Sequence, residues 1–134
     1  MPACDENKVD RTRVLGKATV RAAKGLGLSC KALAEATGLS SSTVYRIKKA
    51  AAGIDPTGKS GERALLLVRT FYLLDALVGG DEEKRQLWMS TSNRELNGVP
   101  MDLAKKVDGL PRLLAYLDKM KALGGNWNGI FNKD

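Results

Sequence analysis

Residues 30–49, CKALAEATGLSSSTVYRIKK, constrain this chain more than any other stretch. They read as a helix, a tight turn and a second helix. Ser29 and Ser40 stand where N-caps are needed, each ahead of a helical block. Gly38 supplies the positive φ of the turn. Leu33 and Ala34 face the neighbouring helix, and the small Ala34 permits close approach. Leu39 plugs the corner, and Val44 and Ile47 point inward from the second helix. Ser40, Ser41, Ser42, Tyr45, Arg46 and Lys49 are left for the outer face: hydroxyls near the helix N-terminus, then an aromatic, then cations. Such a face suits the major groove of double-stranded DNA, with hydroxyls on phosphates and Arg46 on a guanine edge. The bland alternative is a three-helix bundle whose sharp turn recognises nothing.

Charge favours the first reading. Residues 1–60 carry eleven Lys/Arg against five acids, a net +6, whereas residues 61–134 carry eleven against ten. A basic half beside a neutral half is the footprint of a nucleic-acid module joined to something else. Leucine runs the other way, with fourteen of nineteen at or after Leu65. The larger apolar core is therefore expected in the second half.

The remaining elements follow from period and punctuation. Residues 1–8 read as a frayed end, and residues 10–24 as an amphipathic helix carrying Val14, Leu15, Ala18 and Ala22. The helix opened by Ser40 is expected to reach about residue 52. Residues 53–61, GIDPTGKSG, read as a Gly/Pro linker. Residues 62–78 form a long helix that is apolar on most sides, which marks a buried or interchain helix. Leu66 and Leu73 are expected on its exposed side, as a dimer seam. Asp81 caps a helix to about residue 90, Pro100 opens a short one to about residue 107, and residues 110–122 form the last. No alternating strand pattern is present, so the expected fold is all-α. It divides into a helix-turn-helix unit over 1–52, the linker, and a helical domain with a tail over 62–134.

Several function classes are disfavoured. The chain has no histidine, which removes His-based acid–base and triad chemistry. Cys4 and Cys30 cannot hold zinc by themselves, and free thiols suit a reducing cytoplasm. The polar start resembles no secretory signal, and no apolar run is long enough to span a membrane. Gly53 to Ser60 does match G-x-x-x-x-G-K-[ST], a phosphate-binding loop. That loop needs a preceding strand and a parallel sheet, and here it follows a basic helix. Neither enzyme activity nor a cofactor is expected.

Two resemblances sharpen the reading. Residues 30–49 resemble the Xre (Cro/repressor-like) helix-turn-helix regulators. In the second half, Trp88, Asn93, Leu96-Asn97-Gly98, Pro100 and Leu103 are followed by Asp108-Gly109 and then Tyr116-Leu117-Asp118-x-Met120. That order resembles the toxin-binding domain of the Xre/MbcA/ParS antitoxins, over about residues 62–123. The resemblance implies a cytoplasmic bacterial antitoxin that is not an enzyme. It implies a partner among the RES-domain toxins, which deplete NAD. It implies occlusion of that toxin's active site and repression of the pair's own promoter. Paired DNA half-sites imply a homodimer within the larger complex. For toxin contact, the candidates are the surface of the helical domain, with Met120 and Lys121 at the end of the last helix, and the aromatic tail, with Asn126, Trp127, Asn128, Ile130 and Phe131; the bland alternative is a tail that folds back on its own domain. The competing readings are a stand-alone regulator whose second half dimerises or binds a small ligand, and an NTPase built on the 53–60 pattern.

Overall fold

A computed structural model describes residues 2–124, with side chains from residue 10 onward. It contains seven helices among those residues: α1 (Pro2–Leu26), α2 (Cys30–Thr37), α3 (Ser41–Lys48), α4 (Lys59–Leu77), α5 (Glu82–Ser90), α6 (Pro100–Ala104) and α7 (Gly109–Ala122). The fold is all-α, and the only strand-like pairing described is an isolated bridge between Asn93 and Gly98.

Local chemistry explains most boundaries. Ser29 accepts a hydrogen bond from the Ala32 amide at 3.1 Å, and Ser40 accepts one from the Thr43 amide at 3.2 Å. Asp81 caps α5 through the Lys84 amide at 3.2 Å. Each satisfies a donor that the first turn of a helix leaves unpaired. Gly38, at φ 79°, ends α2, and its N–H reaches the Ala34 carbonyl. Pro100 opens α6, where a missing N–H costs nothing.

Three boundaries differ from the sequence reading. Helix α1 begins at Pro2, so residues 2–8 are helical and not a frayed end. Proline at the first position lacks only an N–H that a helix start leaves unpaired. Helix α3 stops at Lys48, about four residues early, because Ala50 turns to φ 61° and the Ala51 amide bonds back to the Arg46 carbonyl at 2.8 Å. That reversal delivers Ile54 to the core, 3% exposed, with its amide on the Thr12 carbonyl. Helix α4 begins at Lys59, inside the Gly/Pro stretch. The connection between the two units is packed, not loose: a Cβ added at Gly53 would lie 2.5 Å from the Thr12 carbonyl oxygen.

One core runs through most of the molecule. Leu26, Leu33 and Val44 from the first three helices share it with Leu67, Leu74, Trp88, Met89, Leu110, Leu113 and Leu117. A smaller cluster of Leu15, Ile47, Ile54 and Ala64 sits under the helix-turn-helix. Helix α4 contributes to both clusters. Its expected exposed seam is corrected by the packing: Leu66 and Leu73 are half-buried against the main core, while Leu65 and Tyr72 are the large residues facing out, 44% and 53% exposed. Apolar residues on nearly every side left the true outward face of α4 undecided until its neighbours were in place.

Candidate functional site

The helix-turn-helix presents its outer face on α3. Val44 and Ile47 are buried, and Leu33 holds α2 against them. Ser40, Ser41, Ser42, Tyr45, Arg46 and Lys49 are all exposed. They do not all have the same freedom. The Ser40 hydroxyl caps the helix, donates to Thr43 Oγ1 at 2.9 Å and lies 3.2 Å from Ser42 Oγ. Tyr45 stands 59% exposed, with the Lys49 ammonium 5.3 Å from its ring centroid. Among the described residues Arg46 reaches back only to the Ala51 carbonyl, at 3.5 Å, the outer limit of a hydrogen bond. Among the described residues none of Arg46, Lys48 and Lys49 pairs with a carboxylate. Cations on one exposed face, with no carboxylate beside them, attract a polyanion.

One neighbour was not anticipated from the sequence. Lys48 on α3 lies 3.2 Å from Cys30 Sγ, at the start of α2. The contact spans eighteen residues, and neither residue's spacing signals it.

The second half is organised around the Asn93–Leu103 segment. Asn93 is 4% exposed and exchanges backbone hydrogen bonds with Gly98, at 2.8 and 3.2 Å. Its side-chain oxygen accepts from the Leu96 amide at 3.0 Å. Asn97 takes a left-handed backbone, φ 56°, which Asn tolerates better than most residues. Arg112 on α7 donates to the Leu96 carbonyl at 2.8 Å and ties the loop to that helix. Trp88 stacks on Tyr116 with ring centroids 6.1 Å apart. Leu96, Leu103 and Leu117 are buried. The residues of the W…N…LNG…P…L…YLD order are therefore mostly frame. Asp118 is an exception, facing out near Arg69 at 3.8 Å.

Exposed positions on that frame are Leu87 on α5, Val107 in the α6–α7 turn and Leu123 after α7, between 52% and 77% exposed. Lys121 is exposed in the last turn of α7, and Met120 is half-buried against the core. Asn126, Trp127, Asn128, Ile130 and Phe131 lie outside the described residues.

Side-chain stitches join the two halves. Arg63 on α4 donates to the Ala36 carbonyl at the end of α2, and to the Lys106 and Val107 carbonyls at 3.3 and 3.4 Å. Arg85 and Gln86 on α5 both donate to the Gly25 carbonyl of α1, at 2.7 and 2.9 Å.

At the 53–60 pattern, Gly58 is the N-cap of α4 and Lys59 and Ser60 open that helix. The element before it is α3, with no strand among the described residues. Asp55 folds the segment on itself by accepting from the Thr57 amide and hydroxyl at 2.9 and 2.7 Å. The sheet that supports a phosphate-binding loop is missing from this context. No helix of the described residues is long and apolar enough to cross a membrane.

These features define a DNA-binding helix-turn-helix protein with a fused helical partner-binding domain. Residues 5–69 match the antitoxin Xre-like helix-turn-helix domain, and residues 73–122 match the antitoxin Xre/MbcA/ParS C-terminal toxin-binding domain. The chain belongs to the Xre/MbcA/ParS-type antitoxins. No curated protein was found to match it. The two matched regions meet within α4, the helix that contributes to both cores.

Proposed function

We propose that this antitoxin neutralises a RES-domain toxin, an NAD-depleting enzyme, and represses the promoter of the pair as a homodimer. The observation that carries the DNA half is the unpaired cationic face of α3, which includes Arg46 and Lys49. The toxin half is supported by the match over residues 73–122. The choice of a RES toxin rests on the pairing of an Xre-type first half with this second half.

In this reading the frame around Asn93 and Trp88 holds Leu87, Val107 and Leu123 toward the toxin. The segment Asn126-Trp127-Asn128-Gly129-Ile130-Phe131, helped by Met120 and Lys121, enters the toxin's active-site cleft. Buried aromatics dominate the energetics of such contacts. The antitoxin supplies no catalytic group; it works by excluding substrate.

The deciding experiment is co-expression with the product of the adjacent gene. The toxin alone should arrest growth and lower cellular NAD, and this chain should restore both and co-purify with it. No rescue and no complex would sink the antitoxin–toxin reading. A rescued toxin that leaves NAD untouched would remove the RES assignment alone. Deleting residues 125–134 should spare promoter binding and impair neutralisation. Full neutralisation by the truncated chain would locate the toxin contacts on the helical surface instead.

A further inference from the structure

Between α1 and α4 runs an apolar groove of about 460 Å³, walled by Val14 and Ala18 on one side and Leu65 and Val68 on the other, with Asp10 and Arg11 at its rim. Val14 is 65% exposed and Leu65 44% exposed. Neither stitches the two halves of the chain together, and neither belongs to α3.

We infer that the occupant of this groove is a second copy of the chain, with the two α1 helices antiparallel and centred on Val14. This deepens the homodimer reading above and rests on it. The argument is self-complementarity, which a two-fold interface requires because both copies offer the same patch. Asp10, Val14 and Lys17 share one face of α1, at spacings of four and three residues. Turn one such helix end for end about Val14, and Asp10 of each copy comes within one residue's rise, about 1.5 Å along the axis, of Lys17 of the other, twice by symmetry. Asp10 is the sole acid in residues 10–26, among the cations Arg11, Arg13, Lys17, Arg21 and Lys24. Two helices of that composition repel each other in most registers, and this one sets the lone carboxylate against a cation. Among the described residues neither Asp10 nor Lys17 has an ion-pair partner within its own chain. Each protruding Val14 then enters the partner's groove beside Ala18 and Leu65. The groove takes no residue from α3, so docking there leaves Arg46 and Lys49 open to DNA.

The test uses the full chain in sedimentation equilibrium, with circular dichroism to verify folding of each variant. The unmodified chain should be dimeric at micromolar concentration, and Val14→Glu should be a folded monomer. Asp10→Lys and Lys17→Asp should each raise the dimer dissociation constant about 100-fold, because each sets like charges together at both symmetric sites. The double reversal D10K/K17D should recover most of that loss, which a merely structural role for either residue would not allow. A monomeric unmodified chain overturns the inference, as does a dimer indifferent to both Val14→Glu and the charge reversals. A dimer lost on deleting residues 125–134 but untouched by the reversals would make the tail the occupant and overturn it too. Promoter-duplex binding, measured on the same samples, separates this failure from that of the DNA reading. A monomer that still binds the duplex removes only the interface, and a charge-paired dimer that ignores DNA removes only the promoter role.

Discussion

Arg46 stands exposed on α3, and among the described residues nothing but a long contact to the Ala51 carbonyl holds its guanidinium. A guanidinium placed against a guanine edge donates two parallel hydrogen bonds. Arg46→Ala should weaken binding to the specific operator by about 1–3 kcal/mol while changing non-specific binding much less, as read by titration of labelled duplexes. Four residues on, Ala50 carries a left-handed backbone at φ 61° in an exposed turn. A Cβ is disfavoured there by about 1 kcal/mol, and glycine removes that cost. Ala50→Gly should therefore raise stability by about 0.5–1 kcal/mol, seen as a higher urea midpoint at unchanged slope. An unchanged or lower midpoint would show that the turn is not under that strain. The inward and outward residues of α3 were readable from helical spacing alone. The strained turn was not, because only the need to seat Ile54 over Thr12 makes α3 end so early.

Among the elements, α5 depends on a polar anchor that no periodicity announces. Arg85 is 8% exposed and holds Asp75 at 2.6 Å and the Gly25 carbonyl at 2.7 Å, with its guanidinium 5.2 Å from the Phe71 ring centroid. The pair is not sealed, since the Asp75 side chain retains 35% exposure. Breaking a fully buried pair costs about 3–5 kcal/mol, and partial solvation of the surviving carboxylate lowers that figure. Arg85→Ala should cost about 2–3 kcal/mol in chemical denaturation. A loss below about 0.5 kcal/mol would place this pair with ordinary surface ion pairs. Helices α2, α5, α6 and α7 were legible to within about three residues because caps, glycines and prolines punctuate them. Helix α4 was legible as a helix but not in orientation. With Leu, Val, Phe and Tyr around most of its circumference, only its packing against α1 and α7 shows that Leu65 and Tyr72, not Leu66 and Leu73, face outward.

At the scale of the whole molecule, the helix-turn-helix and the toxin-binding domain share a core through α4 and are stitched by Arg63, Arg85 and Gln86. Apolar burial shared across two units makes their unfolding one event. Far-UV dichroism and the fluorescence of Trp88, read in a chain with Trp127→Phe, should give coincident urea transitions. A fragment of residues 1–58 should not fold alone, because Leu26, Leu33 and Val44 would lose Leu67 and Leu74. Two separated transitions would show the halves to be independent. The sequence by itself determined the helical class, the helix-turn-helix, its cationic outer face and the second-half pattern around Trp88, Asn93 and Pro100, because these are set by local spacing, capping and turn chemistry. Tertiary structure alone decided that the Gly/Pro stretch is packed against α1, that Asn93 and Trp88 serve as frame, and that an apolar groove lies between α1 and α4. Those outcomes depend on which helix covers which, and contacts between residues far apart in the chain leave no mark in its local pattern.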